Sequence, residues 1–377
     1  MRRISFLLLL CSWSLAAQNR PGRSWKFAVS GDSRDCGDIV MPAIASGVHK
    51  SGAQFYWHLG DFRAIYLVDE DMSAPAELGL HNQPLETGAY LKAAWPDFIA
   101  HQIVPFGALP VYLMMGNHEA IAPLTREAWL VQFADWLETP ALRAQRLKDD
   151  PSDHKLHAYY HWMERNVDFI SLDNATPEQF DPGQMKWLSA VLARDEASAQ
   201  IRTIVVGMHE ALPGSMSRRH SMSESPLGDK SGREAYEALW HAHDSAHKRV
   251  YVLASHSHYY MDNIFETADW KDKILPGWII GTAGARRDPL PPEATPLQHA
   301  ETKVYGYMIA TVTAEGAVSF EFKRLGLEDL HAINGSAYPE ALVRWCYEKN
   351  AVTAQTARAA GAANIRSVSR FSSIHNP

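Results

Sequence analysis

Five short apolar runs, each leading into a residue that can hold a metal or a proton, constrain this chain more than anything else in it. In order they end at Gly31-Asp32, Gly60-Asp61, Gly116-Asn117-His118-Glu119, Gly207-Met208-His209 and Ser255-His256-Ser257-His258. Short runs with so little polar alternation predict strands covered on both faces. An Asn beside a His at a strand end can set a metal ligand and a proton donor against the same substrate atom. His256 and His258 are two apart, so on an extended segment they project to the same side, which helical spacing of three or four would not achieve.

Strands are predicted at 26–30, 54–59, 111–115, 167–172, 202–206, 250–254 and 278–281, with helical patterns between them. Asp181-Pro182-Gly183-Gln184 predicts a helix start, with Asp as N-cap, Pro at the first helical position and Gln as capping-box partner. Met185, Leu188, Val191 and Leu192 supply its apolar stripe, and a second helix is predicted from about Arg233. Residues 303–313 and 317–323 flank Ala314-Glu315-Gly316, a hairpin signal. Alternating strands and helices argue for an α/β layered fold. The residues alone do not distinguish one doubly wound sheet from two sheets.

The region 24–350 reads as one domain with insertions near 62–109 and 213–232, both leaving motif-bearing strands. The Ala-, Ser- and Arg-rich stretch 351–377 is expected to be disordered. Residues 1–17 combine Arg2-Arg3, an apolar stretch and the small-x-small pattern Ser14-Leu15-Ala16. That is the form of a signal peptide, which predicts a secreted or periplasmic protein without a transmembrane anchor in the mature chain. Cys11 would leave with it, so one disulfide between Cys36 and Cys346 is the most that can form. At 377 residues and 46% hydrophobic content the chain can bury a large core. A net charge of −7 argues against a nucleic-acid partner.

The motif series resembles that of the calcineurin-like metallophosphoesterases, two-metal phosphate-ester hydrolases that include the purple acid phosphatases. The resemblance implies a four-layer α/β/β/α sandwich: two facing mixed sheets flanked by helices, with metals at the strand carboxyl ends. It implies two ions (Zn, Mn or Fe), which in such centres lie about 3.5–4 Å apart. Asp61 would bridge them, Asp32 and His258 would complete the first ion's ligands, and Asn117, His209 and His256 the second's. His118 would stabilise or protonate the leaving oxygen. The implied reaction is hydrolysis of a phosphate mono- or diester by attack of metal-bound hydroxide.

Taken singly, these residues have plainer readings: Gly-Asp dipeptides are common turns, and a strand-end His commonly makes a structural hydrogen bond. The remaining histidines carry less. His154, His157 and His161 lie on or beside a predicted hairpin, 158–163 with 167–172, and need not converge. His241, His243 and His247 read as surface or cap residues of a helix. The chain departs from the family at Arg34, where many members carry a ligating His. A guanidinium cannot ligate. The first ion would then rest on Asp32, Asp61, His258 and water, with Asp35, Cys36 or Tyr66 as substitutes, or bind weakly. Arg34 would either grip a phosphate, with Arg218 and Arg219 as weaker candidates, or pair with an acid such as Asp35. The competing function is a catalytically inactive metal- or ligand-binding protein on the same fold.

Overall fold

The computed structural model describes residues 23–80, 85–175, 179–217, 220–292, 294, 299–335 and 337–351. The start at 1–17, Arg218, Arg219 and the tail beyond Ala351 lie outside them. The strands are β1 (Trp25–Ser30), β2 (Tyr56–His58), β3 (Val111–Leu113), β4 (Tyr160–Glu164), β5 (Val167–Ser171), β6 (Thr203–Gly207), β7 (Arg249–Ala254), β8 (Tyr260–Asp262), β9 (Gly277–Ile280), β10 (Ala300–Glu301), β11 (Tyr305–Val312) and β12 (Val318–Leu325). One sheet has the order β12-β11-β1-β2-β3, the other β10-β8-β9-β7-β6-β5-β4. Both are mixed: β1, β2 and β3 run parallel with β11 antiparallel to β1. In the other, β5, β6, β7 and β9 run parallel, flanked by antiparallel β4 and β8.

The helices are α1 (Gly37–Ser51), α2 (Thr87–Phe98), α3 (Arg126–Gln132), α4 (Ala134–Leu137), α5 (Pro140–Asp149), α6 (Pro182–Ala197), α7 (Pro226–Asp244), α8 (Leu327–Asn334) and α9 (Glu340–Glu348). Successive strand residues face opposite sides, and β1 shows why its run is continuously apolar. Phe27 and Val29 enter the core between the sheets, while Ala28 enters the core under α1, α8 and α9. The inter-sheet core is aromatic, with Phe27 5.0 Å from Phe169 and Trp162 stacked 3.9 Å from Tyr112. Helices α6 and α7 cover the outer face of the seven-stranded sheet through Leu188, Val191, Leu192, Ala235 and Leu239. The result is an α/β/β/α sandwich. A Cys36–Cys346 disulfide joins the start of α1 to α9 across 310 residues of sequence.

Two local expectations change. Helix α7 begins at Pro226 with Ser225 as its N-cap, earlier than the apolar stripe indicates. Its first turns bury Gly228, Ser231 and Gly232, and the packing at Gly232 is close: a Cβ there would meet Pro213. Asp181 does cap α6, accepting from the Gly183 and Gln184 N–H groups. Gln184 does not return to the cap, however. Its amide clamps the backbone of Asp173 instead, with both bonds 2.7 Å.

Residues 62–109 hold a buried charge network rather than a simple surface excursion. Arg63, fully buried, pairs with Asp38, Asp71 and Asp97, and with Asp69 at 4.0 Å. A second network gives a pH prediction. His161 on β4 is held between Asp168 on β5 and Asp149 on α5, with Gln145, Arg194 and Asp195 facing the same cluster. Burial disfavours its charge, but the two carboxylates outweigh this and raise it from 6.5 to about 9. The stabilisation is therefore full below pH 6.5 and lost as pH rises through about 9. Asp195, held up to about 8 by burial and by Asp168, acts in the same direction. The melting-temperature gap between wild type and His161→Gln should narrow across that window. A gap that ignores pH would refute it.

Candidate metal centre

Both sheets deliver their motif residues to one rim. Asp32 follows β1 and Asp61 follows β2 on one sheet; His209 follows β6, and His256 and His258 follow β7 on the other. Hydrogen bonds sew the rims together: Gly31 N–H donates to Ile280 O (2.9 Å), and the Ser255 hydroxyl donates to Leu59 O (2.9 Å). Asp32, Asp61 and His256 are held at φ of 60°, 59° and 65°. Non-glycine residues in this left-handed region cost on the order of 1 kcal/mol each and persist only where surrounding contacts fix them. The contacts are present. The Asp61 N–H donates to Glu119 Oε2 (2.9 Å), and the His256 N–H donates to Asp32 Oδ2 (2.8 Å).

Glu119 is a positioning residue that the motif names without revealing its use. Fully buried, it accepts N–H groups from Asp61, Phe62 and Gly116, fixing the second and third motif turns to each other. Those turns touch at Gly60 and Gly116. A Cβ at Gly60 would come 2.6 Å from the Gly116 nitrogen, and one at Gly116 would overlap the Asp61 carboxylate. Gly116→Ala is accordingly expected to cost about 1–3 kcal/mol of stability by overpacking. Denaturant unfolding tests this, and an unchanged midpoint would sink it.

Two donor groups share Asp61. Asp61, His209 and His256 bring ligand atoms within 4.8 Å of one another, as do Asp32, Asp61 and His258. Asn117 Oδ1 joins the first group, 3.0 Å from His209 Nε2. His209 Nδ1–H is committed to Leu59 O (2.9 Å), which turns the lone pair of Nε2 inward. There it meets Asn117 Oδ1, Asp61 Oδ1 at 3.3 Å and His256 Nδ1 at 3.0 Å. His258 Nδ1 faces Arg286 O (2.8 Å) and Asp288 Oδ2 (3.2 Å), so its Nε2 also points inward. Asp32 Oδ1 and Asp61 Oδ2 are buried with no hydrogen-bond partner. Converging acceptors and orphaned carboxylate oxygens are costly alone and are what a bound cation resolves. The mixed N and O donors fit Zn, Mn or Fe.

His118 stands beside these groups and is in neither. Its Nδ1–H donates to Ala64 O (2.6 Å), and Nε2 lies 3.6 Å from Asp61 Oδ2. Burial lowers it to about 4, against the pull of Asp61. Burial opposes ionisation of Asp61, but His118, His209 and Arg34 hold its carboxyl well below the usual range. Arg34 enters from the other side, with Nη2 3.2 Å from His258 Nε2 and Nε 3.8 Å from Asp61 Oδ2. Tyr66 binds Arg34 Nη1 (3.3 Å) and rests its ring 5.2 Å from that of His118.

The structure also brings in residues the sequence does not flag. Asp288 orients His258, and the His220 ring lies 5.2 Å from that of His256. Neither sits next to a strand-end motif, so no local signal marks it. His157, His241 and His243 stay apart: His157 faces Asp153, His241 faces Glu196, and His243 Nδ1 faces Lys248 O near the end of α7.

Residues 26–260 match the family model for calcineurin-like phosphoesterases, well over half of the chain. The chain belongs to this family. Among solved structures, a purple acid phosphatase, PPD1, from yellow lupin (Lupinus luteus) seeds has a similar fold. It is 14% identical over 80% of this chain and 52% of its own, with a TM-score of 0.54. PhoD is 15% identical over 88% of this chain and 78% of its own, with a TM-score of 0.50. This calcineurin-like phosphoesterase thus spans about half the length of the lupin protein. Comparison with curated proteins returns no match.

Proposed function

We propose that this chain is an exported, metal-dependent phosphoesterase hydrolysing a phosphate mono- or diester at a dinuclear centre. The observation that carries the reading is the convergence of buried, unpartnered Asp32 Oδ1 and Asp61 Oδ2 with the inward-facing nitrogens of His209, His256 and His258. Asp61, Asn117, His209 and His256 would hold one ion. Asp32, Asp61 and His258 would hold the other. When bound, such ions supply Lewis acidity toward the phosphoryl oxygens and make water a nucleophile near neutral pH.

The chain's own residues do the rest. His118, its ring fixed by Ala64 O, presents Nε2 to the leaving oxygen; in its imidazolium form, which the neighbouring Asp61 carboxylate favours, Nε2–H stabilises or protonates that atom. The Arg34 guanidinium is a planar donor for the non-bridging phosphate oxygens. Tyr66 and Glu119 keep these two groups and Asp61 in place.

The test is hydrolysis of a panel of phosphate mono- and diesters with added Mn²⁺ or Zn²⁺. Turnover that chelation removes supports the reading; no turnover under any metal condition points instead to a binding protein on the same fold.

Export rests on the form of residues 1–17 and on the Cys36–Cys346 disulfide, since structural disulfides persist in oxidising compartments. Among the described residues, no helix is long and apolar enough to cross a membrane. N-terminal sequencing of protein recovered outside the cytoplasm should begin after residue 17; an intact Met1 would refute cleavage there.

A further inference from the structure

The two donor groups are not equivalent, and Arg34 makes the difference. Around Asp61, the group containing Asn117, His209 and His256 has, among the described residues, no cationic side chain of Lys or Arg paired with it other than through Asp61 itself. The group containing Asp32 and His258 is met by a guanidinium. Arg34 is only 8% exposed. Its Nη2 takes the His258 Nε2 lone pair at 3.2 Å, and its Nε stands 3.8 Å from Asp61 Oδ2. The same two atoms would be needed to ligate an ion there. Arg34 cannot step aside by losing its proton.

The guanidinium is itself poorly satisfied in this position. Its buried Nε has no hydrogen-bond partner among the described residues; Asp35 Oδ2 lies 3.6 Å from Nη1, and that oxygen already accepts from the Arg286 backbone N–H at 3.0 Å. Tyr66 OH accepts from Nη1 at 3.3 Å on its outer side. A guanidinium with an unused buried donor, whose carboxylate neighbours stand 3.6 and 3.8 Å away, has room for a closer anionic acceptor.

We infer that Arg34 couples loading of the Asp32–Asp61–His258 position to phosphate. Without an anion the guanidinium is hydrogen-bonded to His258 Nε2 and stands beside Asp61 Oδ2, so an arriving divalent ion must displace it. A phosphate gives Arg34 a charged, bidentate partner and frees His258 Nε2 and Asp61 Oδ2 for the ion. By linkage, the ion must strengthen phosphate binding by the same factor. This rests on the proposed phosphoesterase reading but adds an order of assembly to it: one resident ion, then phosphate and the second ion together.

The experiment is equilibrium dialysis of the full chain against Mn²⁺, with and without inorganic phosphate at a concentration that leaves Mn²⁺ in solution. Wild type is expected to hold one ion tightly without phosphate. The second should bind roughly a hundredfold more weakly, given a fixed unit charge within about 4 Å, and phosphate should bring it close to the first. Arg34→Ala should take up two ions regardless of phosphate; Arg34→Gln, of similar reach and no charge, serves if that variant does not fold. Two ions of equal affinity in wild type without phosphate would overturn the inference. So would a second ion indifferent to phosphate, or Arg34 variants that still hold one. No ion in any condition would instead overturn the phosphoesterase reading itself, so the two failures are separable.

Discussion

Asp61→Asn should abolish both metal retention and hydrolysis, with the largest effect of any single substitution in the chain. Asp61 is fully buried and is the one residue common to both donor groups. Its Oδ1 accepts the His118 N–H (3.1 Å), a bond an Asn oxygen can keep, so the turn has a means of surviving the change. What Asn cannot supply is the anionic Oδ2, which lacks a hydrogen-bond partner. Groups one shell further out typically cost about 10–100-fold in metal affinity when removed, so losing the shared carboxylate should exceed that. Thermal unfolding reads this directly. A ligand that binds only the folded state raises the melting temperature, so Mn²⁺ should stabilise wild type and leave Asp61→Asn unmoved. A variant that keeps the metal-induced shift would remove Asp61 from the centre.

His118→Ala should separate chemistry from metal binding. The imidazole lies outside both donor groups, yet its Nε2 is 3.6 Å from Asp61 Oδ2 and its Nδ1–H is tied to Ala64 O. Removing a positioned acid–base group typically costs about 10²–10⁴-fold in turnover. The loss should fall on kcat, with metal content and KM nearly unchanged, because the ligand atoms do not depend on this ring. Its backbone N–H still reaches Asp61 in the variant. Esters with better leaving groups should recover part of the loss, as they need less help at the departing oxygen. Wild-type turnover in the variant would exclude His118 from the reaction. Loss of metal along with activity would make it a ligand.

Much of this candidate site is legible in the sequence. Asp32, Asp61, Asn117, His118, His209, His256 and His258 announce themselves because each stands within a few residues of a strand end. A strand end is a local feature that a run of apolar residues marks. Glu119 was visible as a letter of its motif, but the three backbone N–H groups it accepts come from residues as far away as Asp61. Asp288 and His220 carried no signal, since each reaches the site from a loop outside the strand-end motifs. The early start of α7 and the diversion of Gln184 to Asp173 were hidden for a related reason. Close packing and a distant backbone decided them, and helix periodicity records neither.

The sequence by itself determined that buried strands alternate with helices, and that candidate metal-ligating residues follow five of those strands in a fixed order. Periodicity, turn chemistry and side-chain type are properties of neighbours along the chain, so they can be read there. Only the tertiary structure decided that the strands divide into two sheets rather than one. The choice depends on which faces pair, as where Phe27 of one sheet meets Phe169 of the other. Only the tertiary structure, too, set Arg34 against His258, 224 residues away. A guanidinium acts on an ion or a phosphate through distance in space, and distance along the chain does not encode it.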